Sequence, residues 1–142
     1  GKIFIYCLDV KDEAGLLIAV MKNLMGNAHI SFEGNLSDYN FNQIPGASKK
    51  ELGQIKRCTL FPKEDFIVLP LETETIDIIS AKVSKNDRAR EYIIHCQIEK
   101  NGRLEFGTYD NFSDIFTGPA ISREFLERLL SKGILESFEP HT

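Results

Sequence analysis

Histidine and cysteine stand side by side in EYIIHCQIEKNGRLEFGTYDNF, residues 91–112, and a tyrosine and an aspartate follow downstream. A thiol beside an imidazole is the raw material of nucleophilic catalysis, because the base can take the thiol proton. Strand alternation rules that pairing out here. Neighbours on a strand point to opposite faces, so His95 and Cys96 cannot form a dyad with each other. Cys96 is read as core and His95 as a surface residue. The remaining histidines, His29 and His141, lie near a strand start and the chain end, in no pair with ligand spacing. With no HExxH and no CxxC, no metal site is expected, and no other cofactor. Signatures for serine hydrolases, P-loop NTPases and dinucleotide binding are missing too. Carboxylates offer a further route to chemistry. Asp9, Asp12, Glu33, Asp110 and Asp114 fall near predicted strand ends or turns. Two of them brought together would make a general acid and base.

The elements that must position these residues follow from periodicity. Residues 2–10 read as a strand apolar on both sides, and therefore covered on both faces. Residues 12–25 read as a helix with Asp12 as N-cap. Residues 28–36 return as a strand. Residues 37–50 are rich in Asn, Ser, Gly and Pro, yet carry Tyr39, Phe41 and Ile44, more apolar surface than a plain linker needs. Loops of this length are often functional. Residues 54–61 and 66–71 read as two strands joined by a turn at 62–65; in 74–83 the spacing of Ile76, Ile79 and Val83 suits a helix, whereas the β-branched content favours a strand. The C-terminal helix starts at the Ser122 cap and ends at Gly133 with Ile134 packed back, before a last strand, ILESFE.

The hairpin register is set by matching apolar with apolar. A three-residue loop of Lys100, Asn101 and Gly102 places Ile98 opposite Leu104, Cys96 opposite Phe106 and Glu99 opposite Arg103. On the outer face this sets Ile93 opposite Tyr109. The fold class expected from all this is α+β. It is a single domain over residues 1–142 with a mostly antiparallel sheet, two main helices packed on it and a ferredoxin-like outline in part.

Composition narrows the function. The 142 residues carry 17 basic and 21 acidic side chains, for a net charge of -4, with 42% hydrophobic residues. This balance is that of a globule and argues against a nucleic-acid partner, which needs a basic surface. No apolar run approaches the ~20 residues of a membrane span, so no membrane partner is expected. Three cysteines in apolar, strand-like surroundings read as reduced core thiols, which suits a cytoplasmic location.

One stretch resembles a known family. Val10-Lys11-Asp12-Glu13-Ala14-Gly15-Leu16-Leu17, between a strand and a helix, is similar to the opening turn of an ACT regulatory domain. There an Asp-x-x-Gly-Leu-Leu turn follows the first strand and helps to bind an amino-acid effector at a subunit interface. Ala14 stands where that family usually has proline. The resemblance covers about residues 2–36. It implies a small-ligand sensor with Asp12, Gly15 and Leu16 at the site.

The leading expectation is different: a non-enzymatic protein-binding module of the inhibitor or immunity type. Tyr39, Phe41, Tyr109, Asp110 and Phe112 are its candidate contacts, as aromatic anchors on a loop and beside an acidic turn. The partner would be another protein, a basic one given the net charge, or a second copy in a dimer. An enzyme with dispersed carboxylates is the third reading.

Overall fold

A computed structural model describes residues 3–85 and 87–142. The element order is β1 (Tyr6–Val10), α1 (Glu13–Leu24), β2 (Ala28–Gly34), β3 (Asp65–Pro70), α2 (Thr73–Ser84), a single turn α3 (Ala89–Tyr92), β4 (Ile93–Lys100), β5 (Arg103–Tyr109), β6 (Asp114–Thr117), α4 (Arg123–Ser131) and β7 (Leu135–Pro140). The seven strands form one sheet in the order β3-β2-β4-β5-β6-β1-β7, and every neighbouring pair is antiparallel. The fold is α+β, as expected.

Three helices rather than two pack on the sheet, all on one face. Their buried residues, among them Leu16, Leu17, Leu24, Ile79 and Leu126, join Ile30, Phe32, Cys96, Ile98, Phe106 and Ile115 in one core. The additional helix is α2, expected as a strand. Thr75, Ile76, Ile79 and Val83 fall on its buried side. A reciprocal capping box between Glu72 and Thr75 starts it. β-branched residues cost a helix only a few tenths of a kcal/mol each, and burial of that stripe outweighs them.

Local signals are met at α1 and α4. The Asp12 carboxylate accepts the Gly15 N–H at 2.9 Å, and the Ser122 hydroxyl accepts the Phe125 N–H at 3.1 Å. At the end of α4, the Ile134 N–H reaches the Leu129 carbonyl and the Gly133 N–H the Leu130 carbonyl, with Gly133 at φ 75°. That is the Schellman ending expected.

The β4–β5 hairpin differs from the expected register. The loop is two residues, Asn101 and Gly102, both at positive φ (53° and 79°) as a type I′ turn requires. Lys100 faces Arg103 and Glu99 faces Leu104, which would mix core with solvent along the whole hairpin. A bulge at Glu105 corrects the parity, so that Ile98 meets Phe106 and Cys96 meets Thr108.

Antiparallel pairing throughout makes β1 and β2 parallel, with three strands between them. A split β-α-β unit leaves one strand between its parallel pair. Two other crossovers meet that description: β3-α2-β4 straddles β2, and β6-α4-β7 straddles β1. The ferredoxin-like outline is therefore local, and it does not include the β1-α1-β2 unit that resembles an ACT domain. The strand expected over 2–10 is ordered as a strand from Tyr6, and Lys2 lies outside the described residues. Asp9 is exposed and Cys7 half-buried, so β1 is covered on its helix side but not on both faces. No described helix is long and apolar enough to cross a membrane.

Candidate functional site

The 30 residues from 35 to 64, between β2 and β3, wrap both faces of the sheet. The first half lies on the helix side. Phe41 stacks on Phe32 with ring centroids 4.4 Å apart, and Tyr39 stacks on Phe41 at 4.9 Å. The chain then rounds the edge strand β3, where Ser48 and Val68 exchange backbone hydrogen bonds of 2.9 and 2.7 Å. The second half crosses the opposite face. Ile55 is its apolar anchor, buried with Phe66 and Val68.

Polar side chains of the sheet hold the rest of this second half. The Glu33 carboxylate accepts the Cys58 N–H on one oxygen (2.8 Å) and the Thr59 N–H on the other (3.0 Å). Gln97 accepts the Lys56 N–H at 3.2 Å, and Glu99 the Gln54 N–H at 3.1 Å. Gly53 passes so close to Glu99 that a side chain there would collide with its carboxylate. This is why 54–61 alternates like a strand without being one. The N–H groups of residues 54, 56 and 58 alternate toward the sheet and that of Thr59 joins them, but they meet side chains of a face rather than a neighbouring backbone. Glu33 and Gln97 are almost wholly buried beneath the loop. Glu33 alone accepts two of the four N–H groups, so it is the main clamp.

His95 is part of this arrangement, buried rather than on the surface. Its Nδ1 accepts the Asp110 N–H at 3.4 Å. Its Nε2 lies within hydrogen-bond distance of the Thr59 hydroxyl, at 2.8 Å. The contact ties Thr59 of the loop to a buried side chain of the sheet. Tyr109 stands beside the ring at 5.8 Å and receives a hydrogen bond from Gln97 at 3.0 Å.

Beyond Thr59 the loop leaves the sheet. Leu60 is 75% exposed and Phe61 95%, the two most exposed large apolar side chains described. Leu52, on the same loop, is exposed as well. Behind this tip, Arg57 lies over the Phe66 ring at 4.9 Å and donates to the Glu64 carbonyl at 2.8 Å. A rigid base thus carries a projecting apolar pair.

The residues singled out from sequence are placed as follows. Tyr39 and Phe41 are buried, because the core had an aromatic slot over Phe32 for them, and neither projects as an anchor, although Phe41 forms part of the wall of a cleft at the start of β3. Phe112 is also buried. It ends a left-handed turn, Asp110-Asn111-Phe112 (φ 51°, 57° and 65°), held by the Asn111 N–H on the Ile94 carbonyl and the Asn111 side chain on the Arg90 carbonyl. Asp110 is exposed and Tyr109 half-buried. Of the resemblance residues, Leu16 is fully buried and the Asp12 carboxylate is committed to its cap. A hollow of about 580 Å³ does lie beside Gly15, bounded by Asp12, Ile18, Lys85 and Ala89. The dispersed carboxylates do not converge as a set. Asp9 and Asp114 line one hollow with Glu139, whereas Glu33 is enclosed under the loop.

Among the described residues, no group of three His, Cys, Asp or Glu side chains is placed to hold a metal ion. None of the three cysteines is in a disulfide. Cys96 is core, where burial raises its thiol well above the ordinary value, but Cys58 is exposed on the loop and not in the core as expected.

Leu60 and Phe61 were missed from sequence because they close an apolar alternation that reads as a strand end. The signal was the pair of large apolar residues directly before Pro62-Lys63-Glu64-Asp65, a turn where neither face can be covered. Comparison with protein-family models, curated proteins and solved structures gives no match to this chain.

Proposed function

We propose that this protein is a non-enzymatic binding module that engages another protein through loop 48–64, with Leu60 and Phe61 as its anchors. The observation that carries this reading is the combination of two almost fully exposed apolar residues with a base whose backbone N–H groups are clamped by Glu33, Gln97 and Glu99. A loop ordered before binding loses less conformational freedom when it binds, so its contact area converts to affinity more fully. Inhibitor-type loops rely on that physics. Adjacent apolar residues on such a base form a contact patch rather than the scattered exposure of an ordinary surface. The contact set expected from Tyr39, Phe41 and Phe112 thus moves to the other half of the same connection.

A photoreactive phenylalanine analogue tests this. Placed at position 61, and separately at exposed Lys132 as a control, it is irradiated in extract of the cells that make the protein. One discrete adduct from position 61, absent from position 132 and competed by the unlabelled wild type but not by Leu60→Ala/Phe61→Ala, is the expected result. Adducts of equal pattern from both positions, or none from position 61, contradict the reading. A second copy of this chain in the adduct would make the partner a dimer mate.

A further inference from the structure

Arg57 and Lys63, on either side of the loop tip, line a cleft of about 410 Å³ at the start of β3. Leu36, Phe41 and Ile67 line it with apolar surface, and Lys49, Arg57 and Lys63 line it with positive charge. Arg57 is fixed in place by its hydrogen bond to Glu64 and its stacking on Phe66. Lys49 and Lys63 are exposed and have no ion-pair or hydrogen-bond partner among the described residues. Two acids also border the cleft. Asp65 already accepts the Leu36 N–H at 3.1 Å, and Glu64 adjoins the three cations. The charge here runs against that of the chain. Residues 49–65 carry five cations and three carboxylates, whereas the whole chain has a net charge of -4.

We propose that this cleft receives an apolar side chain of the protein partner with a carboxylate beside it, on the same partner surface that takes Phe61. This rests on the reading of loop 48–64 as the contact surface and gives the partner a chemistry. The apolar lining removes a side chain from water, and the three cations meet the negative charge next to it. Lys63 is two residues from Phe61, so one partner surface spans both. The partner face is therefore acidic, opposite to what the net charge of the chain implies. Interfaces are steered by the local potential of the patch that docks rather than by the total.

The probe is 3-phenylpropionate, compared with its neutral amide, titrated to millimolar concentrations against the full-length ¹⁵N-labelled protein. The expected result is saturable amide shifts at Leu36, Phe41, Lys49 and Lys63 with the carboxylate. The amide, and the carboxylate acting on Lys49→Glu/Lys63→Glu, should each bind at least about tenfold more weakly. Both lysines are exposed, so the double variant folds, and an unchanged spectrum elsewhere checks that. Equal binding of acid and amide, shifts centred elsewhere, or no shifts overturn the inference. The two proposals fail separately. Discrete crosslinking from position 61 without carboxylate binding sinks the cleft and leaves the loop, whereas carboxylate binding without crosslinking sinks the loop reading, and with it the docking role of the cleft.

Discussion

The two halves of the β2–β3 connection are held by opposite means. Residues 35–47 are anchored by ring stacking on the helix side, Phe32 to Phe41 to Tyr39. Residues 48–64 have one apolar anchor, Ile55, and are otherwise held by carboxylate and amide acceptors of the opposite face. Apolar burial is non-directional and merges the first half with the core. Hydrogen bonds to the N–H groups of residues 54, 56, 58 and 59 fix a backbone path while leaving Leu60 and Phe61 outward. The first half is therefore structure, and the second can present Leu60 and Phe61 to a partner.

Substitutions can break each half in its own way. The largest effect is expected from Phe41→Ala, which empties a buried aromatic slot between Phe32 and Tyr39. It should cost about 3–5 kcal/mol in urea denaturation, with the loss shared by the whole molecule. Glu33→Ala should cost less, about 2–3 kcal/mol, since it frees two N–H groups but removes little apolar contact. Its signature is local. Tryptic cleavage at Lys56 and Arg57 should become faster while the helices stay intact. If Glu33→Ala left the rate of cleavage there unchanged, the clamp would not be what orders the loop.

Tyr39 gives the smallest effect near neutral pH and a distinct one in alkali. Its hydroxyl is buried with no hydrogen-bond partner among the described residues, and burial pushes its phenol up to about 12. The folded state thus favours the neutral phenol. That contribution is fully present below pH 10, the ordinary value, and is lost as pH rises from 10 toward 12. Because burial also raises the Tyr109 phenol and the Cys96 thiol, both proteins should lose stability in alkali, and wild type should lose on the order of 2–3 kcal/mol more than Tyr39→Phe across this window. At pH 7 the same substitution should be neutral or slightly stabilising, because it removes an unpaired hydroxyl. Parallel melts at pH 7 and pH 11 check both statements.

The comparison also explains what could be read from the sequence. Rules that act within a few residues were sufficient for α1 and α4, where Asp12, Ser122 and Gly133 mark the ends. Alternation located β2, β3 and the hairpin. The register escaped because Glu105 bulges out of the ladder, and nothing near Asn101-Gly102 announces that. Residues 74–83 escaped because Ile76, Ile78 and Ile79 satisfy both periods, and the sheet neighbour that decides between them is distant in sequence. The aromatic residues of the first half were visible, but their burial was not, since Phe32 receives them from another element. For the second half the acceptors lie 25 to 45 residues from the N–H groups they bind. Glu33 and Gln97 look like ordinary solvent-facing positions until a loop lies over them. A polar clamp of that kind has no sequence period.

Amide hydrogen exchange across residues 54–61, in wild type and in Glu33→Ala, tests the clamp most directly. The account predicts that the Cys58 and Thr59 amides of wild type are protected by at least about a hundredfold, as expected of buried hydrogen bonds opening at a cost near 3 kcal/mol. In Glu33→Ala these two should approach unprotected rates while β2 and β4 amides remain slow. Unprotected Cys58 and Thr59 in the wild type would contradict it, and Leu60 and Phe61 would then sit on a loop with no ordered base.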